Sequence, residues 1–290
     1  MPRLPFLLSI VHGGSTLPRE LAQRLAINQA AVFYDSNPWS REVFSMGEYV
    51  QGRLEVDIAR AVVDVDAEPS SRVPAPDGGV IKTITRYNKQ VWQEGQEPNS
   101  EERLRLIDRY HRTYHDILER TASRGGVRMG IDCHSMSPIG APMDPDPGQL
   151  RPMFCLGNRG DENGEGQMLS CDSVYLQAFA DCLRREFANL ELPEGVELVK
   201  FNSPLSGGYV LKRQTQLRSE RNVPTPWMLF AFNRRLLVPD EDPEACLGDV
   251  VPDVPREPIE KLRVRVYNTL LAFARRLPAI IEAVEAKRGR

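Results

Sequence analysis

The chain has 290 residues, enough to bury a substantial core, and its 37 Lys and Arg against 40 Asp and Glu leave a net charge of −3. Acids and bases are interspersed, so no basic stripe offers a nucleic-acid surface, and no apolar stretch is long enough to span a bilayer. No shift in composition marks a cut, which predicts one domain over residues 1–290.

The opening, MPRLPFLLSIVHGG, pairs an Arg with a short apolar run, but no A-x-A pattern follows. A buried strand over 6–11 is therefore expected rather than a secretory leader. Helical patterns follow at 18–32 and 40–58, then a short apolar run, AVVDV, predicts a strand over 61–65. Segment 66–98 is rich in Pro and Gly and long for a connection, as lids and binding loops are. The next helix, 99–123, is well punctuated: Asn99 or Ser100 can cap it, Glu101 and Glu102 suit its first turn, and Gly125 or Gly126 can end it.

Apolar runs predict further strands at 127–133, 153–157, 196–201 and 227–232, with a helix at 172–190 between them. A Pro-rich acidic stretch at 239–257 precedes a final helix at 257–286. Strands that alternate with helices imply an α/β fold, with helices on both faces of a mostly parallel sheet. The five cysteines, Cys133, Cys155, Cys171, Cys182 and Cys246, form no C-x-x-C pair, so reduced thiols in a cytoplasmic protein are expected.

Several common chemistries lack their motifs. The chain has no G-x-G-x-x-G, no G-x-x-x-x-G-K-[ST], no H-E-x-x-H and no G-x-S-x-G. The histidines remain. His12 follows the first strand in SIVHGG, and His134 follows another in GIDCHSM. Parallel strands present their carboxyl ends along one edge, where ligands bind, so the two imidazoles can converge there. A lone strand-end histidine equally reads as a hydrogen-bonded structural residue. Two of them, with a carboxylate, are a donor set that suits zinc and hydrolysis.

Taken together, ordered blocks resemble the N-formylglutamate amidohydrolase family. VHGGSTLPREL resembles its PHSG block, ARAVVDVDAEPS its SR-x-V-x-D-L-N-R-P segment, and GVIKTITRYNKQVWQEGQEP its threonine-bearing loop. TYHDIL resembles the YHxxL helix, IDCHSM the DxHS block, LGNRG with Cys171 the LG…SC block, and FNSPLSGGYVLKR the GGY segment. The resemblance runs from about residue 5 to residue 240. It implies a three-layer αβα sandwich with a mostly parallel mixed sheet, like that of the zinc exopeptidases. It also implies a zinc-dependent hydrolase for a small N-acyl amino acid, with N-formylglutamate as the type substrate.

Carried over, His12 and His134 are metal ligands and an acid completes the set. Asp35 in VFYDSN fits that place best, with Glu42, Glu48 and Glu55 as neighbouring alternatives. Asp132, two residues before His134, is expected on the opposite strand face, from which it would orient a ligand or a backbone group. His115 is read as either a structural helix residue or a residue supporting the ligands, and His111 as structural. Arg60 and Arg213 are the candidates for the substrate carboxylate, because a guanidinium fork meets it in a bidentate way. Asn202, Gly208 and Tyr209 are expected to bring amides and a phenol to the ligand.

Three departures from the family pattern matter. VHGG replaces PHSG, Asp66-Ala67 replaces Asn-Arg, and Leu229-Phe230-Ala231 stands where the family has Q-L-E, whose Glu resembles a general base. Glu220 or Asp240 from a nearby loop are candidate substitutes. A catalytically impaired member that binds a metal or a small carboxylate is the alternative reading.

Overall fold

A computed structural model of the chain describes residues 3–69, 79–221, 225–239 and 248–288. Six strands form one sheet: β1 (Leu4–Ile10), β2 (Val50–Glu55), β3 (Met129–Met136), β4 (Phe154–Gly157), β5 (Val199–Phe201) and β6 (Trp227–Asn233). Their order is β2-β1-β3-β6-β4-β5. All pairings are parallel except β4 with β6, so the sheet is mixed and mostly parallel.

Side chains alternate across the sheet with the two-residue period of a strand. From β1, Leu4, Phe6, Leu8 and Ile10 join Met129, Ile131 and Cys133 of β3 and Met228, Phe230 and Phe232 of β6 in one core layer. That layer packs on α2 (Ser40–Val43), α5 (Ser173–Glu186) and α7 (Arg256–Arg288). Phe230 sits at its centre, with rings of Phe44, Phe179 and Phe154 within 5.0–6.0 Å.

The opposite face carries Leu7, Trp227, Leu229 and Ala231. It is covered by the helical stretch 100–122 and by α6 (Tyr209–Arg221). Within that stretch α3 (Ser100–Leu106) and α4 (Thr113–Ala122) are joined by a π-helical segment, Ile107–Arg112. Asn99 starts it with a capping box: its side chain accepts from the Glu102 amide at 3.0 Å, while the Glu102 carboxylate accepts from the Asn99 amide at 2.9 Å.

The α/β layering thus agrees with the sequence expectation, and several elements differ from it. The helix expected over 40–58 is only α2, a turn, and then strand β2, because VQGRLE pairs with the edge of β1. The strand expected over 61–65 is a buried turn carrying a single bridge, Val63 with Ile81. Its apolar side chains are buried by contacts from the loop at 80–92 and from α4, which period alone does not distinguish from a strand. The helix expected over 18–32 is a short 3-10 turn, Ala22–Arg24, followed by α1 (Gln29–Asp35), which Asn28 caps. Helix α6 was not anticipated; its run of Lys, Arg and Gln lacks a strong apolar face.

Cys133, Cys155, Cys171 and Cys182 are free and buried, and Cys246 lies outside the described residues. Among the described residues no helix is long and apolar enough to cross a membrane.

Candidate metal and active site

At the carboxyl ends of β1 and β3 the chain delivers His12 and His134 to the same place, with ring centroids 5.3 Å apart. Both are buried. Nδ1 of His12 and Nδ1 of His134 each lie 3.0 Å from one atom, the side-chain Oδ1 of Asn37. Asn37 follows α1, and its backbone amide donates to the carbonyl of His12 at 2.8 Å. Its side-chain Nδ2 donates to the Ser135 carbonyl, which fixes Oδ1 toward the histidines.

The other nitrogen of each ring faces a carboxylate. His12 Nε2 is 2.8 Å from Asp64 Oδ1, and His134 Nε2 is 2.8 Å from Asp132 Oδ2. Asp132 therefore lies on the same face as His134, not the opposite one: residues two apart in a strand share a face, and the expectation miscounted that period. Its second oxygen accepts from Ser9 Oγ at 2.9 Å, and Ser9 Oγ also bonds the Tyr114 hydroxyl at 2.7 Å. Asp64 is held in turn by Arg60 Nε at 3.1 Å and the Asp66 amide at 3.0 Å.

This wiring decides where the ring protons sit. An ionised carboxylate is only an acceptor, so each Nε2 carries a hydrogen, and a neutral imidazole then presents a lone pair at Nδ1. Burial pushes His12 below its ordinary value, outweighing the pull of Asp64, so this ring is neutral near pH 7. Its Nδ1 lone pair then faces the Asn37 carbonyl oxygen, itself an acceptor. A cation between them removes that opposition. Two atoms bound to one ion of zinc's size lie roughly 3.0–3.5 Å apart, the spacing found here. A carboxylate behind each imidazole is the arrangement that orients metal-bound histidines. The donor set fits a metal ion.

For His134, burial lowers the affinity for a proton, but Asp132 more than offsets this and raises the ring above its ordinary value. Burial likewise pushes Asp64 up, and the hydrogen bond from His12 together with the Arg60 guanidinium holds it well below the usual carboxylate range. Asp66 behaves in the opposite way. Burial and the neighbouring Asp132 charge raise its carboxyl well above the ordinary range. Asp66, Asp132 and His134 each bring one ligand atom within 4.8 Å of the others, and a group of this kind can also hold a metal ion. The two sets share His134.

His12, Asn37, Asp64, Asp66 and His134 open on a cavity of about 330 Å³, whose wall also includes Arg60, Arg86, Asp144 and Arg151. Asp35 does not turn to the histidines. Its Oδ1 accepts from the Arg86 amide at 2.6 Å and its Oδ2 lies 3.4 Å from Arg60. Of the neighbouring acids considered, Glu42 and Glu48 are exposed, and Glu55 is held by Arg41. The acid expected in the ligand set is thus occupied by two arginine residues, and an amide two positions later takes its place beside the rings.

Gly208 lines the cavity, and a Cβ there would come within 2.0 Å of Asp66 Oδ2. Tyr209 instead packs on His115 and His111, with centroids 4.9 and 5.2 Å away, and its amide donates to the Asp66 carbonyl at 2.8 Å. Arg213 is paired with Glu119 at 3.0 Å, away from the cavity. Asn202 is bound to Asn158 and Asp161, also outside the cavity wall. Glu220 is exposed near the end of α6, and Asp240 lies outside the described residues.

His115 and His111 hold the segment that carries both acids. His115 Nε2 is 2.9 Å from the Val65 carbonyl and His111 Nε2 is 3.0 Å from that of Ala67. Burial, reinforced by His111, pushes His115 down to about 4, so it is neutral and acts as a tether for the backbone between Asp64 and Asp66.

The profile of the N-formylglutamate amidohydrolase family matches residues 4–229. The chain belongs to this family. A crystal structure of N-formylglutamate amidohydrolase from Ralstonia eutropha JMP134 superposes with a TM-score of 0.60 at 18% identity, covering 99% of this chain and 96% of that one. A gene product of Agrobacterium tumefaciens gives the same TM-score at 12% identity, covering 93% and 88%. At these identities the two structures establish the fold. No curated protein matches the sequence. Ala231, where the sequence reading expects the family's acid to be replaced, lies just beyond the matched residues; it pairs with His134 across the β3–β6 ladder and is fully buried.

Proposed function

We propose that the protein is a zinc-dependent amidohydrolase that cleaves the amide of a small N-acyl amino acid, with N-formylglutamate as the leading candidate. The observation that carries this reading is the meeting of two Nδ1 atoms at the Asn37 oxygen, each ring backed by a carboxylate. His12, His134 and Asn37 would hold the ion. When bound there, a divalent ion polarises an acyl carbonyl and acidifies water toward a pKa of about 7.

The remaining work falls to the chain's own groups. Asp64 and Asp132 fix the tautomer and angle of the two rings. Arg60, held on the cavity wall by Asp35 and Asp64, receives a carboxylate of the substrate. Burial lowers its proton affinity, but Asp35 and Asp64 reverse that, so its charge is permanent. Proton transfer to the leaving amine needs a carboxyl group that is not tied up in an ion pair. Of the cavity acids, Asp64 is paired with His12 and Arg60, and Asp144 with Arg86 and Arg151. Asp66 has no basic partner among the described residues; its Oδ1 accepts only the Val210 amide, at 2.7 Å. It approaches His134 from the 64–67 segment and takes over the role for which Ala231 leaves β6 without an acid.

Ala231 and Ala67 favour a second reading, a family member that binds metal and a carboxylate ligand without turnover. Metal content, measured together with hydrolysis of N-formyl and N-acetyl amino acids, separates the two. Turnover lost in His134→Ala and in Asp66→Asn, with zinc retained only in the latter, supports the amidohydrolase. Bound zinc with no turnover on any substrate supports the binding protein. Zinc lost from Asp66→Asn but kept in Asn37→Ala would move the ion to the Asp66, Asp132 and His134 side.

A further inference from the structure

Beneath the cavity, a run of hydroxyl groups ends on the carboxylate behind His134. Asp132 is completely buried, and among the described residues its side chain bonds only His134, at Oδ2, and Ser9, at Oδ1. Ser9 stands beside it in register across the β1–β3 ladder. The Ser9 hydroxyl lies 2.7 Å from that of Tyr114, which α4 brings to the same face of the sheet. Ser9, Tyr114 and Asp132 are all buried, and none of them lines the cavity.

The hydrogens of this run can be assigned. A carboxylate only accepts, so Ser9 gives its single hydrogen to Asp132 and has none left for Tyr114. Tyr114 is therefore the donor to Ser9. Burial and the charge of Asp132 raise the phenol well above its ordinary range, so it keeps that hydrogen. Both bonds point toward the carboxylate of His134, and bonds aligned in this way polarise one another.

The carboxylates behind the two rings are held by different means. Asp64 meets the Arg60 guanidinium at 3.1 Å and a backbone amide at 3.0 Å, whereas Asp132 meets, besides the ring, only a neutral hydroxyl. A cation beside Asp132 would draw its charge away from His134. A hydroxyl fixes the oxygen and leaves most of that charge to the imidazole. Phenylalanine and alanine would fill the same places in the apolar layer around Leu7, Leu118 and Trp227, and each buried hydroxyl carries a desolvation cost that only its bond offsets.

We infer that Tyr114 is a positioning residue of the metal centre, whose hydroxyl, relayed by Ser9, sets the orientation of Asp132 and so of His134. This rests on the metal-binding reading of the site given above and adds to it a group that touches neither ion nor substrate.

The test uses the full chain with Tyr114→Phe, which removes one oxygen and keeps the ring, with Ser9→Ala, and with both. Zinc affinity, measured by competition with a chromophoric chelator, is expected to fall about threefold to tenfold in Tyr114→Phe and about tenfold in Ser9→Ala. Because Tyr114 acts through Ser9, the double variant should lose no more than Ser9→Ala alone. Cobalt(II) bound in place of zinc should show an altered visible absorption spectrum in each variant. Leu118→Val loosens the same helix without touching the hydroxyls; it is expected to lower the melting temperature and leave affinity and spectrum as in wild type. Unaltered affinity and spectrum in Tyr114→Phe, equal effects in Leu118→Val, or losses that multiply in the double variant would overturn the assignment.

The Nε2-bound proton of His134, followed by nuclear magnetic resonance in the metal-free protein, gives a readout that needs no ion. Tyr114→Phe is expected to shift this resonance and to leave that of His12 in place. If the wild-type protein binds no zinc and the shift appears, the hydrolase reading fails and the role of Tyr114 in orienting His134 stands. If the His134 resonance does not move, that role fails whatever the metal does.

Discussion

His12 and His134 face one another with ring centroids 5.3 Å apart and planes inclined by 59°. Each ring is pinned from behind by its own carboxylate, so removing a carboxylate loosens a ligand without removing it. Asp64→Asn and Asp132→Asn are each expected to lower zinc affinity about 10- to 100-fold, measured by competition with a chromophoric chelator. His12→Ala and His134→Ala are expected to bring bound zinc below one-tenth of an equivalent. An unchanged affinity in both Asn variants would show that the carboxylates do not support metal ligands.

Zinc binding is expected to release a proton. In the metal-free protein burial lowers His134 but Asp132 more than offsets it and raises the ring above its ordinary value of 6.5, so at pH 6.5 most of the population carries a hydrogen on the Nδ1 that would ligate. Affinity should therefore be weak below about pH 6.5 and rise as the pH passes through the raised His134 value. Calorimetry at one pH in buffers of different ionisation enthalpy counts the protons. A count of zero near pH 6.5 contradicts the assignment.

Asp66 contributes to stability with a definite sign. Its carboxyl is raised in the folded, metal-free state above the ordinary 3.8, by burial and then by Asp132. The proton is held more tightly by the folded chain than by the unfolded one. Its contribution is fully present below the ordinary value and is lost as pH rises through the folded-state value. Asp66→Asn keeps an oxygen for the Val210 amide and removes the charge. With a chelator present, the variant is expected to melt at a higher temperature than wild type at neutral pH, and the difference should shrink toward pH 4.

Two acidic and basic side chains on α6 provide a contrast. Glu220 is exposed, and Arg213 is paired with Glu119 away from the cavity. Glu220→Gln and Arg213→Met are expected to leave kcat/KM within twofold of wild type. A loss above tenfold in either would place α6 closer to the reaction than its position allows.

The sheet itself is tested at Gly130. A Cβ at this position would lie 2.2 Å from the Trp227 ring of the neighbouring strand, which fills the space a side chain would need. Gly130→Ala is expected to cost about 1–3 kcal/mol in chemical denaturation, the usual penalty of overpacking a full core. Wild-type stability in the variant would mean that Trp227 moves freely.

Much of this is legible in the amino-acid sequence. The central strands β1, β3 and β6 are buried on both faces, so they read as largely apolar runs broken only by a few polar residues such as Ser9 and Asp132, and the histidines at the ends of β1 and β3 follow from the rule for parallel sheet edges. Edge strand β2 did not, because its half-exposed VQGRLE carries polar side chains that a helix would carry equally well. Nor did the turn at 61–65, buried by tertiary contacts alone. Asn37 escaped notice for a chemical reason: an amide does not titrate and is seldom counted among metal ligands, while Asp35 two positions before it has the charge expected of one. Asp35 is committed to Arg60 and to the Arg86 backbone amide, contacts between segments far apart in the chain that no local pattern carries.

The pairing of Ser9 with Asp132 along β1 and β3 acts as a ruler for the chemistry above it. Sliding β3 by a single step would present Cys133 or Ser135 to the cavity and send the imidazole into the aromatic layer beneath α5 and α7. Insertions or deletions inside either strand should thus erase metal affinity outright while leaving secondary structure content nearly unchanged, whereas length changes at the far ends of the same strands should be tolerated.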